Sequence, residues 1–261
     1  MSDFNRNAYG RAGFGGVAAP SAAIDPGLRS YMLSVYNYMS LGLAITGFAA
    51  IGAFMMAVTS DPASAVATAR GMHLTQFGYA LFASPLKWVV LLAPLGMVFF
   101  LSARIHKMSA AGGQIAFYVF AGLMGLSLSS IFLVYTGASI GRVFFITAAA
   151  FGALSLWGYT TKRDLTGMGS FLVMGLFGII IASLVNIFLG SSMVQFVVSV
   201  LGVLIFSGLT AYDTQRIKEM YYELDDSDTM SRKAILGALS LYLDFINLFT
   251  MLLSLFGSNR E

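Results

Sequence analysis

Between Leu165 and Tyr212 the chain runs for 48 residues without one charged side chain. A helix of ~20 uncharged residues, rising 1.5 Å per residue, crosses the ~30 Å hydrocarbon core of a bilayer. The run is too long for one crossing and fits two, broken at Leu189-Gly190-Ser191-Ser192. Helix 5 is therefore expected near Gly169–Leu189 and helix 6 from Met193 past Tyr212.

The same reading places the other spans. Helix 1, near Leu33–Val58, lies in the 31 uncharged residues between Arg29 and Asp61. Helix 2 is the shorter run Trp88–Ala103, flanked by Lys87 and Arg104 and containing Pro94. Helix 3 falls near Gln114–Thr136, helix 4 at Val143–Thr161, and helix 7 near Ala234–Phe256 with the single charge Asp244. These runs are apolar on every face, whereas barrel strands alternate apolar and polar residues. The expected fold class is an all-α membrane protein with seven transmembrane helices.

Composition excludes the main alternatives. Of 261 residues, 57% are apolar and 10% charged, against ~25% charged in soluble domains. A soluble enzyme, a nucleic-acid-binding domain and a disordered chain are all ruled out. With no cysteine, disulfides, Cys-ligated zinc and thiol catalysis are excluded.

Residues 1–29, rich in Gly, Ala and Asn, read as a flexible tail, and 30–257 as the transmembrane domain. No cleaved signal is recognisable. The loop 59–87 is the longest outside the tail, and its second half, residues 74–82, is expected to lie in the interface or partly re-enter. On the tail side of the seven spans lie eleven Lys and Arg, and on the other side four: Arg70, Lys87, Arg142 and Arg260. The positive-inside bias puts the N-terminus in the cytoplasm.

Small residues recur every four positions, at Gly42, Thr46 and Ala50 on helix 1 and Ala121, Gly125 and Ser129 on helix 3. Such stripes let helix backbones approach closely and call for no chemistry. His73 and His106 sit in separate loops without ligand spacing, so a histidine metal site is not expected. No nucleophile-elbow, P-loop or dinucleotide motif appears, and no enzymatic activity is expected.

Two carboxylates stand out. Asp244 lies ten residues inside helix 7, in Leu241-Tyr242-Leu243-Asp244-Phe245-Ile246-Asn247-Leu248-Phe249. Asp213 lies at the cytoplasmic end of helix 6, in Ala211-Tyr212-Asp213-Thr214-Gln215-Arg216-Ile217. A charge at bilayer depth costs ~2.5–3.5 kcal/mol even on lenient insertion scales, so such residues mark function or a buried pair. Helices 6 and 7 are antiparallel neighbours joined by a loop bearing Glu223, Asp225, Asp226 and Asp228. If both extend towards that loop, Asp213 and Asp244 meet at similar depth. Helix 2 descends to the same side and ends at Arg104, a cation available to both.

The runs Ala211–Ile217 and Leu241–Phe249, on the last two of seven helices, resemble the Bax inhibitor-1 family of membrane proteins, bacterial branch. The resemblance covers residues 30–257. It implies three helical hairpins around a central helix 7 and a pH-sensitive calcium leak, with suppression of cell death in eukaryotic members. It also implies that Asp213 and Asp244 form a proton-sensitive dyad linked to an arginine at the end of helix 2, the position of Arg104.

On this reading calcium is a permeant ion, there is no resident cofactor, and the bilayer is the principal partner. Asn247, one turn from Asp244, offers a further oxygen to a hard cation. Three other functions compete. An intramembrane aspartyl protease also uses two membrane aspartates, but its Gly-x-Gly-Asp half is replaced here by Tyr242-Leu243-Asp244. A membrane-embedded regulator would bind another membrane protein, such as a quality-control protease. Proton-coupled exchange would use the same carboxylates.

Overall fold

The computed structural model describes residues 25–260. The expected tail falls outside these up to residue 24. Its last residues do not belong to a tail, because α1 (Pro26–Ala57) begins earlier than hydropathy suggested. Asp25 caps it by accepting from the Gly27 N–H at 2.8 Å, and Pro26 occupies the first helical turn, where its missing N–H costs nothing. The other spans are α2 (Leu86–Arg104), α3 (Ala110–Leu128), α4 (Gly137–Thr160), α5 (Thr166–Leu189), α6 (Ser192–Glu219) and α7 (Ser227–Phe256). Among the described residues seven helices are thus long and apolar enough to cross a membrane, and the protein is an all-α multi-pass membrane protein.

Capping explains most boundaries. Ser109, Thr136, Ser191 and Asp226 each accept a hydrogen bond from the first turn of α3, α4, α6 and α7. The break between α5 and α6 is Gly190, whose φ of +60° ends α5 in the left-handed conformation.

The loop after α1 differs from expectation. Its first half, for which no regular structure was expected, forms a three-stranded antiparallel sheet: β1 (Val58–Thr59), β2 (Ala67–Ala69) and β3 (Met72–Leu74), in the order β1-β3-β2. The β2–β3 hairpin turns on Arg70 and Gly71, both with positive φ, the geometry that matches strand twist across a two-residue turn. His73 lies in β3, paired with Thr59 and Thr68, and so is a strand residue. Residues 76–83 follow as two short helical turns, the second π-helical. After α7, the segment 258–260 returns to the α3–α4 connection: Thr136 N donates to Ser258 O (3.1 Å) and Arg260 N to Val134 O (2.8 Å).

The central element is α7. In its most apolar window 67% of the residues are buried, against 11% for α5 and 17% for α2. Around it the most extensive interfaces are α6–α7, α1–α3, α5–α6 and α4–α6. Tyr242 is the largest fully buried side chain. Its ring meets Phe117 and Phe120 edge-on at 5.9 and 5.1 Å, and its hydroxyl donates to Thr46 Oγ1 (2.6 Å), which in turn donates to Ala121 O (2.9 Å). The small-residue stripes do what their spacing indicated. A Cβ on Gly125 would stand 2.6 Å from both Ala49 Cβ and Thr46 O, so α1 and α3 touch backbone to backbone there.

Gly158 plays the same part between α4 and α6, where a Cβ would lie 2.2 Å from Ala211 O. Gly152, on the same helix, has nothing within 4 Å of that position. Gly158→Ala is therefore expected to lower stability by ~1–3 kcal/mol through overpacking. Gly152→Ala should be neutral or stabilising by up to ~1 kcal/mol from helix propensity. Thermal melting of the two variants side by side checks the difference.

Candidate functional site

The close crossing of α6 and α7 determines which residues meet. Ile217 packs on Gly237, where a Cβ would find the isoleucine side chain 3.0 Å away. Deeper in the bundle, one turn along α6 and about two along α7, Asp213 and Asp244 come near each other. Asp213 is far nearer its own helix end than Asp244 is to the start of α7, so the two share a level because α7 reaches about three turns further towards the loop than α6 does.

Their carboxyl groups lie near enough to act on each other electrostatically. Two carboxyls placed so close ionise together only against their mutual repulsion. Asp244 is 5% exposed, and its Oδ2 is buried with no hydrogen-bond partner among the described residues. Asp213 is only half-buried, and Arg216, an exposed cation one turn along α6, bears on it electrostatically. The pair is therefore asymmetric. One carboxyl is sealed in the bundle, while its partner lies nearer the aqueous end of α6.

Arg104 is not part of this cluster. It is exposed at the end of α2 and forms no ion pair, the one ion pair among the described residues being Lys233–Asp225. The reason is the face that α2 buries. Leu101 and Ile105, one turn apart, point into the core, and Ile105 reaches Gly113 on α3. The expected latch is thus unmade in this conformation. Asn247 lies one turn beyond Asp244 on α7, partly buried, and its amide donates to Leu243 O (2.8 Å) on its own helix. No group of three or more His, Asp or Glu capable of holding a metal ion occurs among the described residues.

Several residues around the pair were not singled out from the sequence. A chain of hydroxyls crosses three helices beside it: Tyr36 OH to Ser155 Oγ (2.6 Å), then to Thr214 Oγ1 (2.9 Å), then to Thr210 O (2.7 Å). Because Thr214 donates to a carbonyl, Ser155 must donate to Thr214 and Tyr36 to Ser155. The chain is therefore directed towards α6. Isolated Ser and Thr in apolar helices carry no motif, which is why spacing did not reveal them.

Gln215 fastens the α4–α5 connection to α6, accepting from Leu165 N and donating to Arg163 O, both at 2.8 Å. The acidic α6–α7 loop is largely structural. Asp225 is paired with Lys233. Asp226 caps α7, and the Thr229 hydroxyl and N–H hold its carboxyl below the usual carboxylate range.

Residues 28–261 match the model of the protein family described as inhibitor of apoptosis-promoting Bax1. The chain is 46% identical to the inner membrane protein YbhL of Escherichia coli over 237 residues, 90% of this chain and 94% of that one. It is also 46% identical to uncharacterised proteins of Rickettsia prowazekii, over 91% of this chain and 93% of that one, and of Caulobacter vibrioides, over the whole of both. With the seven spans, the central α7 and a match over nearly its whole length, the chain belongs to the Bax inhibitor-1 family of multi-pass membrane proteins.

Proposed function

We propose that this protein is a pH-sensitive calcium leak of the bacterial inner membrane, with the Asp213–Asp244 pair as its proton-sensitive element. The observation that carries the reading is the approach of two carboxyls between the two most intimately packed helices, one of them buried. The inner-membrane location is supported by the likeness to YbhL, which bears that description.

Two carboxyls in contact titrate as a unit. While they share a proton, their hydrogen bond draws α6 to α7. Loss of that proton leaves two like charges side by side. At ~4 Å and an effective dielectric of ~20, these repel by about 4 kcal/mol. That is enough to favour a state in which α6 moves away from α7 and opens a path for cations. A permeating calcium ion would then find oxygen ligands in the separated carboxylates and in the Asn247 amide oxygen. No residue is assigned a catalytic role, and calcium is cargo rather than a cofactor.

The test is calcium flux into proteoliposomes containing only this protein. Flux is expected to rise with pH, and Asp213→Asn or Asp244→Asn should flatten the profile, since an amide pair neither shares nor loses that proton. Flux rising as pH falls would overturn the repulsion mechanism and restore Arg104 as a latch in another conformation, with Arg104→Gln then abolishing the dependence. No flux above empty liposomes at any pH would leave the regulator of another membrane protein as the better reading.

Orientation is a separate prediction. Seven spans put the two ends on opposite sides, and the basic bias puts the N-terminus in the cytoplasm. Reporter fusions at Asn5 and Asn259 should report cytoplasm and periplasm respectively.

A further inference from the structure

Spans α1 and α4 both pack on α7, and between them runs an open groove of 1150 Å³. It extends along most of both helices, from Arg29 and Tyr159 at one end to Ile51 and Gly137 at the other, with Phe245 and Phe249 as its floor. Gly47, Gly137, Gly141 and Gly152 line its walls, and each has open space where a Cβ would stand. These glycines differ from Gly125 and Gly158, which let backbones touch. Here the missing side chains deepen a space that the protein does not fill.

The two ends are chemically unlike. At the N-terminal end of α1 stands Arg29, exposed and the one charged residue in the lining. In the same half of the groove stand Tyr36 and Ser155, their hydroxyl protons engaged in the chain to Thr214, and Tyr159, whose carbonyl and ring are covered by the Lys218 ammonium (2.9 Å to the oxygen, 5.6 Å to the ring centre). The opposite end offers apolar walls from Ile131 and Phe132. A molecule complementary to this groove is long and apolar, with an anionic, hydrogen-bonding group at one end only.

We propose that the groove is a binding site for one anionic glycerophospholipid, its acyl chains lying along α1 and α4 and its phosphate at Arg29. Arg29 in the lining and the Lys218 ammonium seated on Tyr159 place positive charge at one end only, the charge complementarity that an ordinary lipid-facing surface lacks. The glycines supply the depth that holds the chains. Occupancy of this site does not depend on calcium permeation.

The full chain, purified in mild detergent and offered equal phosphatidylglycerol and phosphatidylcholine, tests this by native mass spectrometry. Wild type should retain one phosphatidylglycerol in preference to phosphatidylcholine. Arg29→Gln should reduce that preference about fivefold, the share of one cation at an anionic surface. Gly152→Leu and Gly141→Leu, which place side chains in open space, should lose the retained lipid while melting at or above the wild-type temperature. A diazirine-bearing phosphatidylglycerol in membranes gives a readout without substitutions: it should label α4 near Gly141–Phe151 far more than the fully lipid-facing Phe188 of α5. Uniform labelling, equal retention of both lipids, or retention unchanged by filling the groove would overturn the proposal. So would a lipid-free dimer whose contact the glycine variants abolish.

Discussion

A helix with a carboxyl in its middle is costly to expose to hydrocarbon, and this protein resolves that cost by surrounding α7 with the other spans. Burial of Asp244 sets the architecture, because the helix that carries it takes the centre and its neighbours must supply a partner at the right depth. Asp213 is that partner. The α6–α7 crossing at Ile217 and Gly237 brings it close, and in the proposed function a shared proton would let two acidic groups coexist where two charges would not.

Enclosing a helix in a bilayer cannot rely on the hydrophobic effect, since lipid is as apolar as leucine. Close packing and buried hydrogen bonds do the work here. Backbones approach at Gly125 and Gly158, and Tyr242 is fixed both by its aromatic neighbours and by the hydroxyl relay to Thr46. The Tyr36–Ser155–Thr214 chain repeats this arrangement near the acidic pair. Through it α1, α4 and α6 are joined beside Asp213, so displacement of α6 would be felt at the rim of the α1–α4 groove.

Much of this was legible from residues alone. Charge-free runs located seven spans because each crossing must satisfy its backbone internally and exclude charge over a fixed length. Asp213 and Asp244 were legible because ionisable groups are rare at such depth. The small-residue stripes on α1 and α3 were read correctly as packing faces. The start of α1 was misplaced because its boundary is a capping event at Asp25 and Pro26, a local hydrogen bond that hydropathy does not register. The β-sheet at 58–74 was missed because strands of two or three residues are too short to establish a period.

What the sequence by itself determined, then, is the number of spans, their approximate limits and the two acidic residues, all consequences of the bilayer acting as solvent on each segment separately. Which side of a span faces the centre was decided only in the folded chain. Arg104 stands at the expected end of α2, yet Leu101 and Ile105 claim the inward face and leave the arginine outside. The groove between α1 and α4 likewise has no linear signature. Gly47, Gly141 and Gly152 look in sequence like any other helical glycine, and only the separation of two helices across α7 turns their missing side chains into a cavity.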